Sequence, residues 1–335
     1  MSIKILLTLS FIGSFMTLHS QNALQDTELI LNDMLLISER YVAPGADGAA
    51  YQATSGWAST AKSLDLFEVD ASIHINSLFI PKSRGAFTIT NNDFNALRIR
   101  GGETATIPTV LGGDTNVFFD FDIGGEPNEF QAFEGVNENQ LFHPFFQASI
   151  GLWKQTDLSI RYSPEIKISD AEYGIFGVAL KHSISQYFKR TDDKSTNNPL
   201  EVAVQVAYSR FNSGLLFDAF QIDGPDAEDP PLLFVNQLDV TLDSWLFQGI
   251  ASKQYKNFEF FGSAGIIVSD AQFVMSGEQG LVLVLLNTLL EDLDASRTLV
   301  KGDIGVNYHI GDFYVSNAFT FGTFANYNLS VHYKI

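Results

Sequence analysis

Asn326-Tyr-Asn-Leu-Ser-Val-His-Tyr-Lys-Ile335, the last ten residues of the chain, alternate between polar and apolar side chains without a break. Successive side chains of a β-strand point to opposite faces, so this stretch predicts a strand with one apolar and one polar face. Such a strand is typical of an outer-membrane barrel, whose outer face meets lipid and whose inner face lines the lumen. The closing strands of these barrels usually end in an aromatic residue, and Ile335 departs from that pattern. A half-buried edge strand of a soluble sheet is the alternative.

The first twenty residues have the pattern of a secretory signal peptide. Lys4 precedes an apolar run from Ile5 to Leu18, and the small residue Ser20 stands before Gln21. The chain contains no cysteine, which excludes a lipoprotein anchor and a disulfide framework. No later apolar run is long enough for a membrane-spanning helix. These features predict either a soluble exported protein or a barrel.

The charge balance is strongly acidic, with 20 basic against 39 acidic residues and a net charge of −19. Binding to nucleic acid requires clustered Lys and Arg, so we expect no nucleic-acid partner. The acidic residues concentrate in runs that also contain Gly, Pro or Asn, and these runs predict surface loops between strands: Asp114–Glu129, Asp192–Asp193 and Asp223–Asp229.

Segments with period-two alternation recur along the chain with turn signals between them. They cover Phe67–Asn76, Phe146–Leu152, Leu158–Tyr162, Phe176–Ile184, Val202–Tyr208, Leu238–Leu246, Phe258–Val268, Val300–Ile310 and Val315–Phe321. Short turns alternate with long connections, as in barrels with periplasmic turns and external loops. Aromatic residues near the strand ends predict interfacial girdles, which a soluble β-sandwich would not need: Tyr41, Trp57, Trp153, Tyr187, Trp245, Tyr255, Tyr308 and Tyr314. We predict an all-β, antiparallel transmembrane β-barrel of about 12 strands, with roughly 10 or 14 as alternatives.

Two segments depart from the strand pattern. Ala23–Tyr41 has helical periodicity and is predicted to stop at Pro44-Gly45. We expect this helix to plug the barrel, which divides the chain into a signal peptide (1–20), a helical plug (21–62) and a barrel (63–335). The second segment, residues 280–290, is an apolar run in a long connection that either packs on its own barrel mouth or forms a lipophilic binding surface. The candidate contacts of a lipophilic ligand are Leu24, Ile30, Leu31, Met34, Leu281, Leu283 and Leu286.

Residues that could carry catalysis or bind a metal form only weak patterns. Outside the predicted signal peptide, His182-Ser183 is the only adjacent pair of a histidine and a serine, and neighbouring strand residues point to opposite faces. His74 and His332 fall on the polar faces of their strands, which predicts that they face the lumen. Asp120 and Asp122 share a face and could contribute to a Ca²⁺ site, but their spacing fits no calcium-loop motif. Gly101-Gly102 and Gly112-Gly113 lack the residues that follow a phosphate-binding loop and indicate turns. We therefore expect no enzyme activity, no cofactor and no metal.

Several stretches of the chain resemble an uncharacterised family of outer-membrane proteins from Bacteroidetes-type bacteria. They are Tyr41-Val-Ala-Pro44, the loop from Gly48 to Gly56 with Trp57, Thr60-Ala-Lys62, Phe79-Ile-Pro81, Ile107-Pro-Thr-Val-Leu-Gly-Gly113 and Gly177-Val-Ala-Leu-Lys-His182 followed by Ile184 and Gln186-Tyr187. The layout of a helical hatch followed by a barrel is also similar to the FadL/TodX-type transporters of hydrophobic compounds. That second likeness concerns architecture alone and assigns no residue.

The function that these patterns favour is an outer-membrane channel for passive uptake or efflux of small lipophilic molecules such as fatty acids. The expected partners are the lipid bilayer, lipopolysaccharide and a lipophilic ligand. Two alternatives stay open. The first is a structural or assembly component of a secretion or gliding machine, docking through acidic loops. The second is an outer-membrane hydrolase.

Overall fold

The computed structural model describes residues 20–168, 171–188, 200–222, 233–278, 281–291 and 296–335. The predicted signal peptide up to residue 19 lies outside these ranges, as do the acidic runs Asp192–Asp193 and Asp223–Asp229. The chain forms two units, one comprising residues 20–44 of the described part with Lys82–Asn137, the other Gly45–Pro81 with Glu138–Ile335.

The described residues form two helices and fifteen strands. The helices are α1 (Ser20–Thr54) and α2 (Leu281–Glu291). The strands are β1 (Val69–Phe79), β2 (Ala86–Thr90), β3 (Arg98–Ile99), β4 (Thr104–Pro108), β5 (Phe118–Ile123), β6 (Glu126–Gln131), β7 (Gln140–Leu152), β8 (Thr156–Ile168), β9 (Ala171–Ser183), β10 (Glu201–Ile222), β11 (Leu233–Tyr255), β12 (Phe258–Glu278), β13 (Arg297–Ile310), β14 (Phe313–Gly322) and β15 (Ala325–Lys334). Among the described residues, no helix is both long and apolar enough to cross a membrane.

The second unit contains a closed antiparallel barrel in the order β1-β15-β14-β13-β12-β11-β10-β9-β8-β7. The C-terminal strand β15 closes it by pairing with β1, where Tyr333 lies opposite Ala71 and Leu329 opposite Ile75. The sequence prediction of an antiparallel barrel is therefore confirmed, with ten strands among the described residues instead of twelve. The count is lower because β10, β11 and β12 are 22, 23 and 21 residues long. In addition, strands β2–β6 belong to two small sheets and not to the barrel sheet.

The outer face of the barrel carries an apolar band, which is clear on β11. Its outward-facing side chains from Tyr255 to Trp245 are predominantly apolar, and the next outward-facing residues are Asp243, Thr241 and Asp239. Ten residues of a tilted strand rise about 24 Å, which is the height of the lipid-facing band of an outer-membrane barrel. Long β10–β12 therefore continue about ten residues beyond the band at one end.

Five of the eight predicted girdle residues are exposed: Trp153, Tyr187, Tyr255 and Tyr308 at or near strand ends, and Trp245 within β11 at the edge of the apolar band. The prediction is wrong for the other three. Tyr314 occupies an inward-facing position of β14 and Trp57 is buried inside the barrel. Tyr41 lies in α1, where its hydroxyl donates to the Glu134 carbonyl at 2.6 Å. Counting residues from a strand end does not reveal which face a side chain occupies.

The first unit combines residues 20–44 of α1 with the two-stranded sheet β2-β4 and the three-stranded sheet β3-β5-β6. Its core includes Ile30, Leu31 and Ile37 from the helix. The carboxylate of Asp33 accepts backbone N–H groups of Asn95, Ala96 and Leu97 and so fixes the loop before β3. The Asp33 carboxylate thus accepts hydrogen bonds from backbone N–H groups that have no regular secondary-structure partner in this loop.

Helix α1 continues through Pro44 to Thr54, so both the predicted stop at Pro44-Gly45 and the predicted loop from Gly48 to Gly56 are wrong. Proline removes one helical hydrogen bond and tends to end a helix. Here the helix ends instead at Thr54, two residues before Gly56, whose φ of 70° is the left-handed conformation that commonly follows a helix. Its last carbonyl groups have partners on the barrel wall, which offset the cost of the proline.

Candidate site in the barrel lumen

The lumen of the barrel is crossed by residues 45–65, which we call the lumen segment. Near its start, Gly48 lies beside Leu78 and Phe324. Near its end, the Ser63 hydroxyl donates to the Gln155 carbonyl in the β7–β8 turn at 2.8 Å. The lumen segment thus runs from one end of the barrel to the other. It begins at the end where β10–β12 project, which we call the long-strand end. It finishes at the end with the turns β7–β8, β11–β12 and β13–β14, which we call the short-turn end.

Of the predicted plug, residues 45–62 lie in the lumen, and the earlier residues belong to the first unit. Three of the predicted ligand contacts, Ile30, Leu31 and Met34, are buried or half-buried in that first unit. The side chain of the fourth, Leu24, lies outside the described part of the structure.

The wall binds the C-terminal carbonyl groups of α1. Arg161 Nη1 donates to the Ala53 carbonyl at 3.1 Å, and Lys301 Nζ donates to the Thr54 carbonyl at 2.9 Å. Asn76 donates to the Gln52 carbonyl at 3.2 Å. The last carbonyls of a helix lack partners within it and carry partial negative charge. Two cations and an amide from three different strands therefore fix the position of the helix end.

Farther along, Lys181 Nζ donates to the carbonyls of Thr60 and Lys62 at 3.2 and 2.9 Å. Thr60 also donates to Glu259 and lies 3.3 Å from the Ser252 hydroxyl oxygen. Polar side chains of the wall thus hold the lumen segment over most of its length.

Arg161 is fully buried, with 0% of its surface exposed. Its guanidinium lies between the rings of Trp57 and Phe145, 4.0 Å from each ring centroid. Gln147 Oε1 accepts from Nε and Nη2 at 3.2 and 2.9 Å. Lys181 and Lys301 pair with Asp157 and Asp303, but no carboxylate of the described residues pairs with Arg161. Burying a charge without an opposite charge is costly, so this arrangement is unusual for a purely structural arginine.

Two strands at the closure of the barrel form a histidine network. Ser72 and Ser330 lie 2.9 Å from Nε2 of His74 and His332, respectively. His332 Nδ1 donates to Asp70 at 3.0 Å, and Tyr314 donates to the same carboxylate at 2.6 Å. The prediction that both histidines face the lumen is confirmed, since they are 1% and 3% exposed.

Sequence reasoning missed this network, although a signal was present. Ser72-Ile-His74 and Ser330-Val-His332 are the same pattern, and residues two apart in a strand share a face. The pairing of β1 with β15 then places Ser72 opposite His332 and His74 opposite Ser330. Ser330, His332 and Asp70 have the distances of a nucleophile–base–acid set, but Ser330 is only 2% exposed. The adjacent pair His182-Ser183 divides between faces as predicted, with His182 bonding Thr156 at 2.8 Å.

The inner surface of β9–β12 is apolar toward the long-strand end. This apolar face consists of Ile175, Phe211, Leu238, Leu242, Leu246, Ile267 and Phe273. Within it, Ser244 and Ser269 lie opposite each other in register, and neither buried hydroxyl has a hydrogen-bond partner. The inner wall formed by β9–β12 is therefore apolar toward the long-strand end and polar toward the short-turn end, where Lys181, Ser252 and Glu259 contact the lumen segment.

A row of rings connects Arg161 to the apolar face. Phe145, in contact with Arg161, is followed by His143 at 6.2 Å between centroids. Tyr173 lies 5.0 Å from His143, and Phe211 lies 5.9 Å from Tyr173. His143 is fully buried, and neither of its ring nitrogens has a hydrogen-bond partner. Buried polar atoms without partners are rare and indicate missing water, ligand or ion partners.

Helix α2 packs against its own barrel strands. Leu283, Leu286 and Leu290 are buried, and Asn287 bonds both the N–H and the carbonyl of Met275 at 2.8 and 2.9 Å. Two of the predicted ligand contacts, Leu283 and Leu286, thus face away from solvent. Leu281 has a side chain outside the described part. The exposed apolar residues of this helix are Val284 and Leu285, at 64% and 39%.

The weak metal candidate Asp120 is bound by Arg100 in the first unit. The guanidinium holds the pKa of the Asp120 carboxyl below its usual value by hydrogen bonding to it. Asp122 lies two residues along the same strand. The described residues contain no group of three or more His, Asp or Glu side chains that could hold a metal ion.

The barrel is similar to several solved outer-membrane proteins. These include the β domain of the Bordetella autotransporter BrkA (10% identity, TM-score 0.34, covering 81% of this chain and 99% of that one). The outer-membrane protease OmpT from Escherichia coli has 8% identity and a TM-score of 0.31, covering 82% of this chain and 100% of that one. The translocator domain of the autotransporter NalP from Neisseria meningitidis has 10% identity and a TM-score of 0.30, covering 89% and 100%.

Among curated proteins, none matches the chain. A family model, however, matches all of its residues, 1–335. The resemblance to an uncharacterised family is thereby confirmed, whereas the likeness to FadL/TodX-type transporters stays a prediction. The chain belongs to the family of unknown function DUF6588.

Proposed function

We propose that this chain is a plugged outer-membrane channel for the passive passage of small lipophilic molecules such as fatty acids. The observation that carries the proposal is the division of the lumen wall. Polar groups hold the lumen segment, while β9–β12 present the apolar face on the inside of the barrel only toward the long-strand end. An apolar inner face binds ligand surface at about 25 cal/mol per Å², which is weak enough for release.

In this proposal the lumen segment is the gate, because it fills the passage at the level of Ala53, Trp57 and Thr60. Its movement can be blocked chemically. The hydroxyl oxygens of Thr60 and Ser252 are 3.3 Å apart, so Thr60→Cys with Ser252→Cys places two sulfurs within reach of a disulfide. The chain has no cysteine of its own, so no other disulfide competes.

The test is uptake of a fluorescent fatty acid by whole cells that carry the double-cysteine variant. We expect uptake to fall under oxidising conditions and to recover after reduction, while each single-cysteine variant responds to neither treatment. The single variants also show how uptake changes when the Thr60 or the Ser252 hydroxyl alone is lost. Uptake that is the same in wild-type cells and in a strain lacking the gene would overturn the proposed function.

One observation favours the second candidate, a component of a secretion or gliding machine. The projecting parts of β10–β12 carry polar side chains on their outer face, including Asp239, Thr241 and Gln272. Native mass spectrometry of the detergent-purified protein separates the two functions. A co-purified lipid supports the channel, and a stable protein partner at defined stoichiometry supports the machine component.

A further inference from the structure

We infer that the lumen contains a binding site for the anionic headgroup of a lipophilic molecule, formed by Arg161 and His143. The inference rests on the proposed function, in which lipophilic molecules enter the lumen. It adds the chemical class of the ligand, namely an amphiphile with a carboxylate or phosphate-monoester headgroup.

Arg161 is a buried cation that lacks an acidic partner among the described residues. The other buried lumen cations have acidic partners, at 3.0 Å for Lys181 and Asp157 and at 3.3 Å for Lys301 and Asp303. The guanidinium of Arg161 has only neutral partners among the described residues, namely Gln147, the Ala53 carbonyl and two aromatic rings. An anion beside it would supply the missing opposite charge, and charge-assisted hydrogen bonds are stronger than neutral ones.

His143 is the second polar side chain of this site. Both ring nitrogens are buried without partners, whereas His74 and His332 in the same lumen each have partners on both nitrogens. Phe145 separates His143 from Arg161, with its ring 6.2 Å from the His143 ring and 4.0 Å from the guanidinium. In this proposal the headgroup binds beside Phe145 and accepts hydrogen bonds from Arg161 and His143.

The row of rings gives the alkyl tail of such a ligand a direction. From His143 the row of rings continues through Tyr173 to Phe211, which belongs to the apolar face. A ligand with its headgroup at Arg161 and His143 therefore places its chain along apolar side chains. A neutral lipophile of the same length gains the apolar contact but leaves His143 unpartnered and the charge of Arg161 uncompensated.

Trp57 serves as the reporter because its ring stacks on Arg161. The chain has three tryptophans, and Trp153→Phe with Trp245→Phe leaves Trp57 alone. Brominated alkyl chains quench tryptophan fluorescence on contact. The purified single-tryptophan protein is titrated in detergent with a brominated fatty acid, the alkyl phosphate of equal chain length and the corresponding alcohol.

We expect saturable quenching by at least one anion at a concentration about tenfold or more below that of the alcohol. Preference for the carboxylate or for the phosphate identifies the headgroup. In His143→Phe the preference for the anion should fall about tenfold, since the variant removes only nitrogens that bond nothing in the free protein. Arg161→Gln should abolish the preference. His182→Phe is the matched control, because His182 lies on the outer face of β9, and it should keep the preference.

The outcomes separate the two proposals. Equal quenching by anion and alcohol, or an unchanged preference in His143→Phe, would overturn the headgroup site while leaving the channel in place. No quenching of Trp57 by any of the three amphiphiles, together with unchanged uptake in the gene deletion, would overturn both. If Arg161→Gln does not fold, His143→Phe alone decides the headgroup site.

Discussion

Gly56 shows how one residue positions the lumen segment. Its φ of 70° favours glycine, and a Cβ atom there would stand 2.8 Å from the Asn328 side chain. We expect Gly56→Ala to destabilise the folded barrel by about 1 kcal/mol or more. The measurement is the temperature at which the compact gel band converts to the unfolded one. Gly249→Ala is the control, because a Cβ atom at Gly249 meets nothing within 4 Å, and it should leave this temperature unchanged.

The set Ser330, His332 and Asp70 gives a residue-scale test of enzyme activity. Ser330 is 2% exposed, and the lumen segment fills the lumen. We therefore expect a fluorophosphonate probe to leave the folded protein unlabelled. Labelling that disappears in Ser330→Ala would contradict this expectation and favour a hydrolase.

Local sequence patterns predicted correctly which face of a strand a residue occupies. They did not predict which residues its side chain contacts. Alternation placed His74 and His332 in the lumen, as the structure does. Arg161 carries no local signal of its environment, because its two aromatic neighbours come from the lumen segment and from β7. A residue whose setting depends on distant segments cannot be assigned a role from periodicity alone.

At the scale of elements, α2 presents two apolar pairs with opposite environments. Leu283 and Leu286 are buried, while Val284 and Leu285 are exposed. We expect Leu283→Asp with Leu286→Asp to detach the helix, since burying unpaired charges costs a few kcal/mol. Added protease should then cleave near residue 281 in whole cells. Val284→Asp with Leu285→Asp should keep the wild-type cleavage pattern, and cleavage in both variants would show that the helix is not fixed by this packing.

Element types were predictable, but element lengths were not. The helix in the N-terminal region and the period-two strands follow from short-range patterns. The continuation of α1 through Pro44 depends on carbonyl partners supplied by Asn76, Arg161 and Lys301 on the wall. The lengths of β10–β12 depend on hydrogen-bonded pairing with the neighbouring strands. Polar residues such as Asp243 and Asp239 interrupt the apolar pattern of the outer face, but the pairing of β11 with β10 and β12 continues past them.

At the scale of the whole molecule, the connections predict the orientation of the barrel, because three of the four connections at the short-turn end have two or three residues, whereas the longest connection, β1–β7, lies at the long-strand end. Short turns of outer-membrane barrels face the periplasm, and longer connections face the outside. Lys256→Cys lies in the short β11–β12 turn, and Gln272→Cys lies on the exposed outer face of β12 beyond the apolar band. In intact cells we expect a membrane-impermeant maleimide to label Gln272→Cys only. After permeabilisation both variants should react, and labelling of Lys256→Cys alone in intact cells would reverse the orientation.

The carbonyl groups of the lumen segment also constrain the order of assembly. Arg161, Lys181 and Lys301 come from three strands, and all of them donate to this segment. If the barrel closed before the lumen segment was inside, water would hydrate the three inward-pointing cations. That water would have to be removed when the segment entered. The path without this barrier is one in which the strands wrap around a segment already in place, so that β15 meets β1 last. The C-terminal end of α1 is then in place before the barrel closes. Variants that remove its hydrogen bonds to the wall should slow barrel formation more than they speed its unfolding.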